Sequence, residues 1–555
     1  METNNRINPY DQVYQNNPDN NNVYPNSAYP MQPKAAAVKQ EDNVFTKRLK
    51  AHFPFFGLGS ALYALFYTFC LYKNASGITY PFFVIGTLCY FFCSMRKLGV
   101  PYKKDSVFYI VSLVLLGISN CLTNSGPLLL MNKCGIFLLA FILMIHTVYQ
   151  DGNWNFPKYF CALAETFGAV FTCVFRPFSD MVSYFDAQKE QKIGKKSYFI
   201  PVLIGIAITI PLLFVITLLL ASADAVFSNI LDNIFEAFNF VTTFQICFLM
   251  IVVFFCSYAV CAALGMKNVK EEVNDHRVLE PVIAIIITGT LSVLYLMFSI
   301  IQILYLFIGN MQLPEGYTYS GYARQGFFQL LAVCILNLII VLVCLYLFRD
   351  NTVLKVILTI ISGCTFIMIL SSALRMLMYI NRYNLTFLRI FVLWALAVIF
   401  LLMAGVTIFI YMNRFPLFTY SMVIVTVFYI GLSFAHPDYW IAKYNLNPAH
   451  LDYLNEYDVY DSQRYLSSLS ADAAPVLLDK DKNPYLREII IGQADADLLL
   501  RNWDDVLAFD EDISAYVKKE LSWLHSYYDN MERLSTKIQV RNFNFSIYTA
   551  GKYVE

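Results

Sequence analysis

Arg375, Arg382 and Arg389 recur at intervals of seven residues, and Arg324 lies upstream in the string Tyr322-Ala323-Arg324-Gln325-Gly326-Phe327. On one continuous helix a spacing of seven puts side chains on a single stripe, and a guanidinium offers a planar fork that takes phosphate or carboxylate in two parallel hydrogen bonds. Arg324, Arg375 and Arg389 are therefore a candidate anion site. Asn381 and Asn384 mark a turn that interrupts the stripe, and the plainer reading is that each arginine snorkels to an interface or pairs with a carboxylate of the C-terminal tail. Glu165 is the acid of an otherwise apolar stretch, either a proton carrier or a partner for Arg176. Asp224, in Ser222-Ala223-Asp224, reads as a helix N-cap. Asn337, with Gln245 and Gln302, is an amide at membrane depth of the kind that joins helices.

Only apolar helices can hold these groups. The 555 residues are 58% hydrophobic and 14% charged, with a mean hydropathy of +0.52, whereas soluble domains average about 45–50% apolar and about 25% charged. Such a chain is built to face lipid, and its zero formal net charge gives no reason to expect nucleic acid as a partner. A hydrocarbon core of about 30 Å takes about 20 helical residues, and helices keep their backbone hydrogen bonds internal. Eleven spans follow from the apolar runs: 53–72, 78–95, 106–123, 127–148, 198–220, 241–264, 282–308, 327–348, 354–379, 386–411 and 415–435. The run 159–175 is shorter and ends in Phe175-Arg176-Pro177.

Whether 159–175 crosses fixes the topology. With the N-terminus inside and 159–175 not crossing, 21 flanking Lys and Arg fall inside and six outside. With 159–175 crossing, the same charges divide 14 to 13, and the preference of basic loops for the cytoplasm explains nothing. The sequence therefore predicts an all-α integral membrane protein of eleven spans, 159–175 re-entrant or interfacial, with a cytoplasmic N-terminus in the plasma membrane.

Three regions follow. Residues 1–46 begin with an Asn/Pro/Tyr-rich segment that cannot bury enough surface to fold, a disordered tail. Residues 47–435 carry the spans, with amphipathic surface helices near 178–194 and 225–239. Residues 436–555 hold 20 Asp/Glu against 12 Lys/Arg, a soluble, mostly helical region with its clearest helices at about 459–470 and 509–533.

No phosphate-binding loop, dinucleotide fingerprint, zinc-protease helix or nucleophile elbow occurs in the chain. The 13 cysteines all fall between Cys70 and Cys364, in apolar surroundings where cysteine serves as a small hydrophobe, and the six scattered histidines give no metal-binding spacing. No cofactor is implied. The expected role is a transporter-like core or an envelope regulatory component, with the lipid bilayer as surroundings and 436–555 available to a protein partner. The alternative is a membrane-embedded enzyme acting on a lipid or lipid-linked anion held by Arg324, Arg375 and Arg389.

Several strings together resemble one bacterial family. They are Phe175-Arg176-Pro177-Phe178, Leu219 to Phe227 around Asp224, Tyr322 to Phe328 around Arg324, Arg375 through Leu388-Arg389, Tyr465 to Pro475, and Asn542-Phe543-Asn544-Phe545-Ser546. The set is similar to the polytopic domain-of-unknown-function 4173 family and its sibling, the 4153 family, from about residue 50 onward. The resemblance implies a bacterial cytoplasmic-membrane protein and brings no activity, ligand or catalytic residue.

Overall fold

The computed structural model describes residues 43–191 except 75 and 153, isolated positions within 205–227, residues 239–304 except 273–276, and 319–554 except 452–455, 489, 492–493, 496–499, 502 and 504–510. Residues 1–42, most of the expected span 198–220 and most of the expected surface helix 225–239 lie outside the described residues.

The described chain is helical. In order come α1 (Val44–Ala51), α2 (Phe53–Leu71), α3 (Thr79–Leu98), α4 (Ser106–Leu122), α5 (Gly126–Val148), α6 (Phe156–Thr172), α7 (Arg176–Gln191), α8 (Phe240–Met266), α9 (Pro281–Gln302), α10 (Tyr319–Leu347), α11 (Thr352–Arg382), α12 (Phe387–Tyr411) and α13 (Leu417–Phe434). The tail adds α14 (Pro437–Asn445), α15 (Pro448–Leu451), α16 (Glu456–Ser467), a 3₁₀ turn (Ala471–Ala473), α17 (Ala474–Leu477), α18 (Pro484–Glu488), a two-residue antiparallel pair (Ile490–Ile491 with Ala494–Asp495), α19 (Glu511–Ser535) and α20 (Phe545–Val554).

Local chemistry places the helix ends. Proline occupies the first turn of α2, α5, α6 and α9, where its missing N–H has no intrahelical partner to lose. Asn155, Asn239 and Asn351 accept from backbone N–H groups of the helices they precede, satisfying orphan donors. Between α6 and α7 the axis turns by 64°, and Pro177 accounts for the break, since it cannot donate to the preceding turn.

Eight helices among the described residues are long and apolar enough to cross a membrane, or nine if the bent α6–α7 pair counts as one span. They coincide with eight of the eleven expected runs. Two further expected spans are helices of a different grade. α3 has 20 residues but ends in Arg96 and Lys97 and carries buried Thr79, Tyr80 and Ser94. α4 has 17 residues, about 25 Å of rise, short of the hydrocarbon thickness.

Residues 43–555 form one compact unit with three cores. One gathers α2 to α6 and α8 around Phe56, Leu116, Leu143 and Tyr258. A second gathers α9 to α12 around Leu358, Ile361, Val341 and Ile410. α13 joins them, since Tyr429 belongs to the first and Leu417 to the second. The third lies in the tail around Leu477, Leu521, Leu524 and Tyr527 and rests on Leu385, Phe387 and Ile390 at one end of the bundle.

The two ends of the bundle are chemically unlike. At one end Arg48 donates to the Leu98 carbonyl, Trp154 reaches Glu271, Leu279 pairs with the backbone around Phe348, Arg349 meets Glu280 and Phe418 stacks on Tyr159. At the other, Ile78 N–H donates to Phe543, Asn124 N–H to Asp472 and Leu385 N–H to Asn445. The lysines and arginines expected inside that are described cluster at the first end; the tail covers the second.

Candidate functional site

The arginines singled out from sequence do not converge on a common ligand among the described residues. Arg375 is buried in α11 and its Nη2 donates to Gln302 Oε1 of α9 at 2.9 Å, an oxygen that also accepts from Ser371 Oγ at 2.6 Å. Arg389, in the first turn of α12, lies with its Cζ 4.2 Å from the ring centroid of Tyr379 on α11, a cation–π contact. Arg324 lies in the second turn of α10 and its side chain lies outside the described residues. α11 ends at Arg382, so the stripe is broken where the two asparagines placed a turn. Asn337 is buried and donates to Thr365 Oγ1 at 2.9 Å, linking α10 to α11.

Glu165 is exposed on α6 and, with Lys158, Thr172, Asn268 and Lys270, lines an open cavity of about 610 Å³ at the basic end. Arg176 pairs not with Glu165 but with Asp180, at 3.5 Å, because α7 turns away and brings residues four apart onto one face. Asp224 Oδ1 accepts from the N–H groups of Val226 and Phe227 at 2.7 and 3.1 Å, as an N-cap does.

At the opposite end lies a cluster that sequence reasoning missed. Asp472 sits in the 3₁₀ turn with its carboxylate buried. Oδ2 accepts from Thr123 Oγ1 at 2.5 Å and from His436 Nδ1 at 3.2 Å; Oδ1 accepts from Asn124 N–H at 2.9 Å and from Ser546 Oγ. One carboxylate thus ties the α4–α5 turn, the end of α13, the 3₁₀ turn and α20 together. Burial raises the Asp472 pKa, but the donors from His436, Ser546, Thr123 and Asn124 outweigh it and hold it below the usual carboxylate value. The hydrogen bond to Asp472 raises His436 against the opposing effect of burial. Beside them Asp438 is pushed up by burial and accepts from Ser470 Oγ at 2.6 Å.

His436 has φ +45, a left-handed backbone unusual outside glycine, and stands at the start of α14. Its side chain is 37% exposed on a pocket of about 560 Å³ bordered by Leu122, Phe434, Trp440, Asp472 and Ser546. Just inside the bundle, Asn132 Oδ1 accepts from Tyr429 Oη at 2.6 Å and Ser433 Oγ at 2.7 Å, and Ser433 meets Ser119 at 2.6 Å. The polar track continues the node inward from Thr123. Asp472 and Ser546 stand in the two tail strings quoted above, but Asp472 is 349 positions from Thr123, and no local spacing reports that.

A second carboxylate organises the basic end. Asp151 accepts from His146 Nδ1 at 2.7 Å and from Tyr159 Oη, and pairs with Lys103 Nζ at 3.4 Å. Burial raises Asp151, and His146, Tyr159 and Lys103 outweigh it, so its pKa is lowered. Tyr159 also stacks on Phe418 at 3.7 Å, fastening α6 across α5 and α13. Among the described residues no group of three or more His, Cys, Asp or Glu is placed to hold a metal ion.

A family model described as Domain of unknown function (DUF4153) matches residues 110–479. The match takes in His436 and Asp472 and stops short of Ser546. It is to the sibling of the resembled pair rather than to the 4173 family. No curated protein matches, and no solved structure matches.

Proposed function

Starting from the chain's membership of the DUF4153 family, a domain of unknown function, and from its eight helices long and apolar enough to cross a membrane among the described residues, we propose that the protein is an envelope component whose tail and span ends act as one recognition unit on the outer side of the plasma membrane. The observation that carries this reading is the Asp472 node, in which one tail carboxylate accepts two hydrogen bonds from Thr123 and Asn124 of the α4–α5 turn and two from His436 and Ser546 of the tail itself. A tail fixed in this way presents a defined surface. Its orientation follows from charge: the basic flanks lie at the end opposite the tail, and basic short loops stay in the cytoplasm.

The face offered to a protein partner is on α16, where Tyr457 and Tyr460 are 72% and 63% exposed and three residues apart, hence on one side of the helix. Exposed tyrosines are among the residues that anchor interfaces, and Asp458 and Asp461 beside them suit the polar rim. Chemical cross-linking in cells followed by purification of the full chain tests it. Wild type is expected to retain a reproducible partner band that a Tyr457→Ser, Tyr460→Ser double variant at normal abundance loses; an unchanged band pattern refutes the scaffold reading.

The transporter-like reading has less support, since Glu165 is exposed on α6 instead of buried at membrane depth. For the enzymatic alternative, Arg375 and Arg389 contact Gln302 and Tyr379 while the Arg324 side chain lies outside the described residues, and what supports it is the His436–Asp472 pair beside a pocket at the tail end. A carboxylate-oriented imidazole in a cleft is an arrangement that acid–base chemistry uses. Lipid profiles of cells carrying Asp472→Asn, compared with wild type at matched abundance, test it. An altered lipid is expected under that alternative, and identical profiles exclude it for cellular lipids.

A further inference from the structure

The pocket at His436 has two kinds of wall. Leu122 and Phe434 are the last residues of α4 and α13, so they lie where the bundle meets the membrane surface, and Trp440 at the rim is 53% exposed, as aromatic side chains at headgroup level are. The polar part consists of His436, Asp472, Ser546 and Thr549. Three of these are directed inward: Ser546 donates to Asp472, Thr549 donates to the Phe545 carbonyl at 2.8 Å, and Asp472 accepts from four donors. His436 alone of the four keeps a ring nitrogen toward the cavity, since Asp472 holds Nδ1 and no described residue bonds Nε2.

With Nδ1–H given to Asp472, the protonated ring presents Nε2–H to the pocket as a donor. The negative charge of Asp472 is already spread over its four donors, and the N-termini of α14 and α20 both begin at the pocket wall, adding partial positive charge. The Nε2–H of the protonated ring is the donor of this wall that has no acceptor among the described residues. The left-handed backbone of His436 costs about 1 kcal/mol or more, and it aims the ring into this cavity.

We propose that the pocket binds the phosphate of an outer-leaflet phospholipid, with His436 Nε2–H meeting a phosphate oxygen and the acyl chains running past Leu122 and Phe434 into the bilayer. A phospholipid fits better than a free phosphate because most of the wall is apolar and two of its residues end membrane helices. The outer-leaflet part rests on the sidedness argued above; the binding itself does not.

The full chain, purified in a phosphate-free maltoside detergent, is offered phosphatidylglycerol or a glucosyl diacylglycerol with the same acyl chains, and bound lipid is counted by native mass spectrometry. Wild type is expected to retain the phospholipid about ten-fold more strongly. His436→Asn, whose side chain tolerates a positive φ but is too short to reach the cavity, is expected to lose about that factor. Trp440→Ala, at an exposed rim position, loses part of it without disturbing the fold. Retention falls as pH rises from about 6 to about 9, because the imidazolium loses its proton. Asp472 and Asp438 are the carboxylates facing this ring, and Asp438→Asn is expected to keep the fall. Equal retention of the glucosyl lipid overturns phosphate recognition. Displacement of the phospholipid by millimolar inorganic phosphate overturns the lipid assignment in favour of a free anion. Retention of neither lipid by folded, monodisperse protein overturns the proposal and leaves sidedness, which is read separately, untouched.

Discussion

Asp472 is 6% exposed, and a carboxylate so buried persists only if its hydrogen bonds replace water. Asp472→Asn removes the charge and leaves His436, Thr123 and Ser546 with a poorer acceptor, so the free energy of unfolding in detergent is expected to fall by about 3 kcal/mol. Asp479→Asn breaks a surface pair with Lys482 and is expected to cost less than about 1 kcal/mol. Tryptophan fluorescence during denaturation reads both, and equal effects of the two substitutions would remove the special place given to Asp472. The pH dependence has two arms. The lowered pKa of Asp472 contributes stability present above the unfolded carboxylate value of about 4 and lost as pH falls through the folded value. The raised pKa of His436 contributes stability complete below the unfolded imidazole value of about 6.5 and lost as pH rises through the folded value. The node is therefore firmest between about pH 4 and about pH 6.5. Sequence made Asp224 and Asn337 legible because a cap or an interhelical amide is a local or single-residue signal. Asp472 was not legible, since its meaning comes from Thr123, His436 and Ser546, which only the packed chain brings to it.

Helices were easier to read than the contacts between them. Eight expected spans coincide with apolar helices because a run of about 20 apolar residues has few other solutions, and the expected tail helix 509–533 corresponds to α19 at Glu511–Ser535 through its one-sided apolar pattern. α3 and α4 have the same apolar character in the sequence as the other expected spans, but α4 is only 17 residues long and α3 ends in Arg96 and Lys97. α6 is the instructive case. Lys158, Glu165 and Thr172, from its start, middle and end, line one cavity together with Asn268 and Lys270, just beyond the end of α8. That supports an α6 lying across the basic end of the bundle, as its composition suggested. Its anchor is the Asp151 cluster, so Asp151→Asn is expected to speed amide hydrogen exchange across 156–172 by about ten-fold or more while α11 and α12 stay unchanged. If exchange in α6 is unaffected, Tyr159 stacking on Phe418 holds the helix alone. A structural glycine serves the same purpose at the other end: Gly77 has φ +146, and a Cβ there would meet the Asn542 backbone at 2.9 Å, so the tail's last turn docks only against a glycine.

At the scale of the molecule there is a polarity that no single residue carries. Arg48, Lys103, Lys158, Lys267, Lys270, Arg349 and Lys355 gather at one end through the contacts of their helices, while the acidic tail, with 20 Asp/Glu against 12 Lys/Arg, closes the other. Packing puts the tail at the end of the bundle opposite the basic flanks, and the proposal that the tail faces outward rests on loop charge. Each charged residue resists transfer through hydrocarbon by a few kcal/mol, so an orientation that sends most of the basic flanks across is strongly disfavoured during insertion. The prediction is a one-sided cleavage pattern. A short protease site is inserted beside Val540, which is 90% exposed on the tail, or beside Lys104, exposed between α3 and α4, and protease is added to intact cells whose membrane surface is accessible. Cleavage is expected beside Val540 and not beside Lys104 until the membrane is opened. The reverse pattern would put the tail in the cytoplasm, would move the His436 pocket to the inner leaflet, and would mean that a tail folded onto the span ends can override the charge of seven basic loop residues.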